Sequence, residues 1–213
     1  MLGSGEAPRD VALVRIAARK EFAIDPGAQV PPLLRSGWAA EQLVLPDGRR
    51  QVTGLFLPGE RVIPSTLSRE IESVSLLAVT PLELAYAAEP PSEHELAGLR
   101  GEMDGRLSQC FHAIVRLGCL DAYEKTANLL LEIAERMDAE HGQAIDFPLT
   151  QELLADLLGL SQVHVNRTLQ QLRRDQLIEL QSGRLTILQC GLLRTAAQYG
   201  TPAAPGSALS DGD

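Results

Sequence analysis

The chain is expected to fold as an α+β protein of three successive parts: an N-terminal β-roll (jelly roll), a long helix, and a C-terminal winged helix-turn-helix. Three observations predict this. Residues 22–90 break into short apolar runs separated by turn signals about every 8–12 residues. Residues 96–117 carry apolar side chains at three- and four-residue steps. Residues 149–188 hold two short segments with helix start and stop signals, followed by an alternating hairpin pattern.

The β region begins at Phe22. Residues 1–10 suggest no element, and residues 11–19 fit a short helix or an edge strand equally well. Turn chemistry then recurs at Asp25-Pro26-Gly27, Pro31-Pro32, Ser36-Gly37, Pro46-Asp47-Gly48 and Pro58-Gly59. Between these lie the runs Trp38-Ala39-Ala40, Leu43-Val44-Leu45, Gln51-Val52 and Leu55-Phe56-Leu57, then residues 74–79 and 82–86. Pro46-Asp47-Gly48 between two runs predicts a hairpin turn.

Pro90-Pro91 ends this region, and Ser92-Glu93-His94-Glu95 forms a capping box that opens a helix. Leu96, Leu99, Met103, Leu107, Cys110, Ile114 and Leu117 then form a seam that can pair with its own copy in a second chain. Gly98, Gly101 and Gly105 each cost about 1 kcal/mol of helix stability against Ala. They mark either a close helix approach or a frayed first half. Gly118 is expected to break the helix. A second helix is expected from about residue 121 to 137, with Ala122, Thr126, Leu129, Leu130, Ile133 and Met137 on its apolar face. Residues 139–146 read as a polar connector with a hinge at Gly142.

The most informative stretch follows. Pro148 blocks an early start and Thr150 can N-cap the next helix, whose apolar stripe is Leu153, Leu154, Leu157 and Leu158. Gly159 permits the left-handed residue that ends it, and Ser161 can cap another helix. In that second helix Val165, Leu169 and Leu172 point inward. Gln162, Asn166, Arg167, Gln170 and Arg174 fall on a separate polar face suited to a DNA major groove. Residues 177–180 and 185–188 alternate around Gln181-Ser182-Gly183-Arg184, completing a winged helix. From residue 194 the chain reads as a disordered tail. The expected divisions are thus 1–90, 91–146, 147–193 and 194–213.

Composition bounds the rest. The chain has 213 residues, 45% hydrophobic, enough for one large or two small domains with cores. No apolar run can span a bilayer, and the N-terminus lacks a signal-peptide core, so a cytoplasmic protein without a membrane partner is expected. The three cysteines, Cys110, Cys119 and Cys190, contain no C-x-x-C pair and argue against disulfides and a zinc cluster. The net charge of −9 is concentrated upstream: residues 1–146 hold 14 Lys/Arg against 22 Asp/Glu, whereas residues 147–190 hold four of each. A neutral reading head implies modest non-specific DNA affinity and a need for two copies per site. No nucleophile elbow, P-loop, metal-ligand spacing or dinucleotide fingerprint is present, so no enzyme is expected.

This order of parts, with Ser36-Gly37-Trp38, Leu45-Pro46-Asp47-Gly48-Arg49-Arg50-Gln51, Leu57-Pro58-Gly59-Glu60, Asp121-Ala122-Tyr123-Glu124-Lys125 and Val163-His164-Val165-Asn166-Arg167-Thr168-Leu169, resembles the Crp/Fnr family (cyclic-AMP receptor / fumarate-nitrate regulator) of bacterial transcription factors. The resemblance covers roughly residues 36–193. It implies a homodimer formed through the long helix, two recognition helices on a palindromic double-stranded operator, and RNA polymerase as a further partner. By position it implies base reading by Gln162, Val163, Asn166 and Arg167. Arg167 stands first among these, because a guanidinium makes bidentate contact to guanine. Thr150, Ser161, His164, Gln170, Arg174 and Arg184 are the implied phosphate contacts.

Departures from the family pattern are informative. Many members carry Glu where this chain has Val163; Val can touch only a thymine methyl, so the family's usual half-site is not implied. Cyclic-nucleotide-binding members grip the ribose with a Gly-Glu pair, matched here by Gly59-Glu60, and neutralise the phosphate with Arg-Ser-Ala. Glu72-Ser73-Val74 stands in that second place. A carboxylate about 4 Å from a phosphate costs about 1 kcal/mol even in water, which argues against cyclic AMP. The absent N-terminal cysteine cluster argues against an iron–sulfur centre. Cys110 and His112 lie two residues apart on a helix and point different ways, which argues against haem. The effector, if the roll keeps one, is left unnamed. The stretch before Ser36 is short for the family, which leaves open whether the roll is complete. Two readings follow: a dimeric DNA-binding transcription regulator, or a small-molecule sensor whose DNA-binding head is vestigial.

Overall fold

The computed structural model describes residues 11–25, 27–64, 74–140 and 142–199. The chain divides into two units that interleave along the sequence: Met1–Ile114 with Pro148–Gly159, and Val115–Phe147 with Leu160–Asp213.

The first unit is built on two antiparallel sheets. Its strands are β1 (Val11–Ile16), β2 (Glu21–Phe22), β3 (Leu33–Ser36), β4 (Ala39–Val44), β5 (Arg50–Phe56), β6 (Val74–Ala78) and β7 (Leu82–Ala87). One sheet runs β1-β7-β3 and the other β2-β6-β4-β5. Residues 11–16, undecided from sequence, form the edge strand β1, in register with β7 from Val11↔Ala87 to Ile16↔Leu82. Three strands, β1, β2 and β3, therefore begin before Gly37. Leu34, Ala39, Phe56, Val62, Leu76, Ala78, Leu82 and Leu84 form one buried cluster.

Local chemistry explains the roll's corners. Pro46-Asp47-Gly48 turns β4 into β5 with Gly48 at φ +84° and a 2.8 Å bond from Leu45 N–H to Arg49 carbonyl. Gly37 also has positive φ, and a Cβ there would lie 2.3 Å from the Pro81 carbonyl oxygen. Only glycine fits that corner. The β4–β5 register slips between Glu41 and Gln42, and both side chains are buried, which strict alternation would not allow.

α1 (Glu93–Cys119) begins with the expected box: Ser92 N–H donates to the Glu95 carboxylate at 2.7 Å and Glu95 N–H to Ser92 Oγ at 3.3 Å. α1 ends at Cys119, one residue past Gly118. Asp121 then caps α2 (Ala122–Arg136) by a second capping box. Leu129, Leu130, Leu131 and Ile133 of α2 are fully buried in the second unit.

Two further expectations are corrected there. Residues 139–146 are not merely a connector, because β8 (Ala144–Asp146) closes the sheet that the hairpin strands complete. After β8 the chain returns to the first unit for α3 (Gln151–Leu158), then enters α4 (Gln162–Arg174), β9 (Ile178–Gln181), β10 (Arg184–Ile187) and α5 (Cys190–Ala196). The sheet order is β8-β10-β9. A disordered tail from residue 194 is likewise incorrect for residues 194–199: α5 continues to Ala196, Leu193 and Ala197 are buried, and Asn128 Nδ2 donates to the Ala197 carbonyl at 3.1 Å. No described helix is long and apolar enough to cross a membrane.

Candidate nucleic-acid interface

The turn between α3 and α4 follows the expected chemistry. Thr150 N-caps α3 by accepting from Leu153 N–H at 3.1 Å. Gly159 closes α3 in the left-handed region at φ 61°. Ser161 N-caps α4, accepting from His164 N–H at 3.3 Å. An N-cap bond typically contributes about 1 kcal/mol and fixes where the helix starts.

α4 presents two faces. Val165, Leu169 and Leu172 are buried as expected, and Thr168 joins them. The Thr168 hydroxyl meets the Thr126 hydroxyl of α2 at 3.0 Å, a buried polar pairing that the apolar pattern did not reveal. Gln162, Val163, His164, Arg167, Gln170 and Arg174 are exposed, and Asn166 is half-buried. Val163 is 77% exposed. Gln170 Nε2 donates to Asn166 Oδ1 at 2.8 Å, so these two amides are already oriented along the helix. Arg174 Nε reaches the Gln170 carbonyl at 3.4 Å. Among the described residues Arg167 has no side-chain partner, leaving its five donors available.

In the wing, Ser182 (φ 51°) and Gly183 (φ 72°) form the two-residue turn between β9 and β10. Arg184, an exposed side chain, has partners within the wing. Its guanidinium pairs with Asp146 at 3.0 Å and donates to the Ala144 carbonyl at 2.7 Å.

The long helix carries an uncovered apolar face. Leu96, Met103, Leu107, Ile114 and Leu117 are exposed, while Leu99 and Cys110 are partly buried. Phe111 and Val115, absent from the expected seam, are also exposed at 59% and 53%. Their spacing from Leu107 and Ile114 broadens the stripe beyond a strict heptad. Among the described residues a Cβ added at Gly98, Gly101 or Gly105 would meet nothing within 4 Å, so no described neighbour requires those glycines.

The sensory positions are only partly in view. Gly59 adopts φ +92°, and Glu60 turns back to accept from Leu57 N–H at 2.8 Å. Glu72 and Ser73 lie outside the described residues. Cys110, Cys119 and Cys190 are free thiols, and no cluster of three metal-ligating side chains occurs among the described residues.

Comparison with known proteins is consistent with this geometry. Residues 124–196 match the Crp-like helix-turn-helix domain. The nitrogen fixation regulation protein FixK of Bradyrhizobium diazoefficiens is 33% identical over 152 residues, covering 68% of this chain and 64% of that protein. The transcriptional activator protein FnrL of Cereibacter sphaeroides is 30% identical over 167 residues, covering 72% of this chain and 66% of that protein. The aligned part thus spans just under two thirds of the length of either relative. Among solved structures, FixK2 from Bradyrhizobium japonicum superposes with TM-score 0.74 at 21% identity, covering 90% of this chain and all of that one. A CRP/FNR-family transcriptional regulator of Thermus thermophilus, TTHA1359, superposes with TM-score 0.64 at 20% identity, covering 88% and 98% of the two chains.

Proposed function

Because the chain belongs to the Crp/Fnr family, we propose that it is a homodimeric, sequence-specific DNA-binding transcription regulator that reads the major groove with α4. The observation carrying this reading is the outward edge of α4. Val163 is solvent-exposed, Arg167 has no side-chain partner among the described residues, and the Asn166 and Gln170 amides are already oriented along the outward face. Gln162, Val163, Asn166 and Arg167 read base edges. Thr150, Ser161, His164, Gln170, Arg174 and Arg184 contact phosphates, Arg184 after exchanging its Asp146 partner.

Dimerisation rests on α1. A stripe of Leu96, Met103, Leu107, Phe111, Ile114 and Val115 left in water is the kind of surface that a second copy covers. Two α4 helices then meet successive major-groove faces of a palindromic operator. The protein works in the cytoplasm, and RNA polymerase is its partner at promoters. Regulation does not depend on cyclic AMP: Glu60 serves its own turn.

A gel shift against palindromic duplexes, competed with scrambled DNA, tests the reading. A retarded band resisting the scrambled competitor supports it. No band at low salt instead favours a small-molecule sensor with a vestigial head.

A further inference from the structure

At about 100° per residue around the helix, the outward ridge of α4 centres on Val163, almost opposite the buried Val165, Leu169 and Leu172. An exposed valine is ordinary on its own, so its meaning depends on what shares its face. Asn166 and Arg167 lie three and four residues on, and side chains at those spacings are neighbours about 5–6 Å apart at Cβ. Gln170 lies one turn beyond Asn166, and its Nε2 donates to Asn166 Oδ1 at 2.8 Å. That bond fixes which way the Asn166 amide faces. Its oxygen is engaged, and both Nδ2 hydrogens are left without a partner among the described residues. The ridge thus sets a branched apolar group beside a pair of oriented N–H donors.

In the major groove the four bases offer different edges. Guanine shows two acceptors, adenine an acceptor and a donor, and cytosine a donor, and none of the three carries a methyl group. Thymine alone sets a C5-methyl next to an acceptor, O4. Valine methyls against that C5-methyl and an Asn166 Nδ2 hydrogen on O4 match both features of one base. Cytosine in the same place fails twice: it has no methyl, and its N4 donors face the Nδ2 donors. Gln170 keeps a second Nε2 hydrogen for a phosphate, so orienting Asn166 does not take it from the DNA backbone. Arg167, on the far side of Val163 from Asn166, is left to take a guanine.

We propose that Val163 and Asn166 together read one thymine of each half-site, the valine covering its C5-methyl and the Asn166 amide donating to its O4. Gln170 is the positioning residue that holds the amide in this sense. The inference rests on the DNA-binding reading above and adds the base at which the chain discriminates. Helical spacing puts Asn166 on the ridge; the bond from Gln170 decides which end of its amide meets the base.

The test uses the purified full chain and a pool of palindromic duplexes, randomised in both half-sites, from which bound DNA is enriched at low salt. Each thymine of the enriched half-site is then replaced symmetrically. Deoxyuridine lacks only the methyl; 5-methyldeoxycytidine opposite guanine keeps the methyl and exchanges O4 for an amino donor. Fluorescence anisotropy is expected to find one thymine where deoxyuridine weakens wild-type binding about fourfold per half-site, as for burying one methyl-sized group. There 5-methyldeoxycytidine should weaken it roughly 5- to 150-fold, the span for a mismatched base pair. Val163→Ser, which has no methyl group, should bind the thymine and deoxyuridine duplexes alike yet still reject 5-methyldeoxycytidine. Asn166→Ala should do the reverse. Gln170→Glu, which can only accept from Asn166 and so turns its amide round, should also lower the rejection of 5-methyldeoxycytidine; loss of a phosphate contact would weaken all duplexes equally. No thymine sensitive to deoxyuridine, or one whose response survives Val163→Ser, overturns the proposal while the DNA-binding reading stands. So does rejection of 5-methyldeoxycytidine that persists in both Asn166→Ala and Gln170→Glu. A wild type that enriches no sequence removes that reading, and the proposal with it.

Discussion

The phenol of Tyr123, in the first turn of α2, donates a 2.7 Å hydrogen bond to the carboxylate of Asp175, which caps the C-terminus of α4. The bond joins the helix that carries the second unit's core to the end of the helix that faces outward. Burial, and then the bond to Asp175 and its charge, push the Tyr123 pKa up to about 12. The folded chain therefore holds this proton more tightly than the unfolded chain, whose tyrosine titrates near pH 10. The stabilising contribution is complete below about pH 10, declines as pH rises, and is gone above about 12. Thermal melts of wild type and Tyr123→Phe across that window check this. The wild-type Tm should fall more steeply, and parallel slopes would contradict the assignment.

Arg167→Ala is expected to cost about 1–3 kcal/mol of specific DNA binding and to relax preference at one base pair. Binding measured on a panel of single-base operator variants distinguishes roles. A uniform loss across the panel would make Arg167 a phosphate contact.

The α1 face predicts a coupled loss. Leu107→Asp or Ile114→Asp places a charge on a surface that is 55% or 64% exposed in the single chain, so the isolated fold tolerates it. Light scattering should then report a monomer, and operator binding should fall with it. A wild-type monomer in solution would refute the dimer.

Arg116 is the buried residue of α1. It donates to Asn128 Oδ1 at 2.9 Å and pairs with Glu132, which Arg136 also holds at 3.0 Å. Arg116→Met should destabilise by about 3 kcal/mol, the lower end for a broken buried pair, because Arg136 still balances Glu132. Denaturant unfolding measures it; a change within about 0.5 kcal/mol, the usual size of a surface substitution, would show the network to be dispensable.

What could be read from sequence was what neighbouring residues decide. The hairpin at Pro46-Asp47-Gly48, the box at Ser92, and the Thr150, Gly159 and Ser161 caps are local hydrogen-bonding devices, and each forms as the sequence implied, whereas the box at Asp121 went unread. β8 was missed because three residues carry no period of their own; pairing with residues 184–186 makes them a strand. α5 was missed because it is short and owes its place to Asn128, some seventy residues upstream. Phe111 and Val115 escaped a seam counted in strict steps. At the candidate site the outward side chains of α4 were legible from helical spacing. Thr168 was not, since its buried hydroxyl is explained only by Thr126, and the Arg184–Asp146 pair needed β8. The pairing of Arg106 with Glu41 joins residues 65 positions apart, and no pattern in either neighbourhood announces it.

The number of chains bound per duplex, and its dependence on half-site spacing, bears most directly on the reading of α4. Native mass spectrometry of the complex should count two chains on one palindrome whose half-site centres lie about one helical turn apart. Inserting about half a turn between the half-sites should abolish that species. One chain per duplex, or binding indifferent to the insertion, would contradict the proposal that a symmetric pair presents α4 twice to DNA.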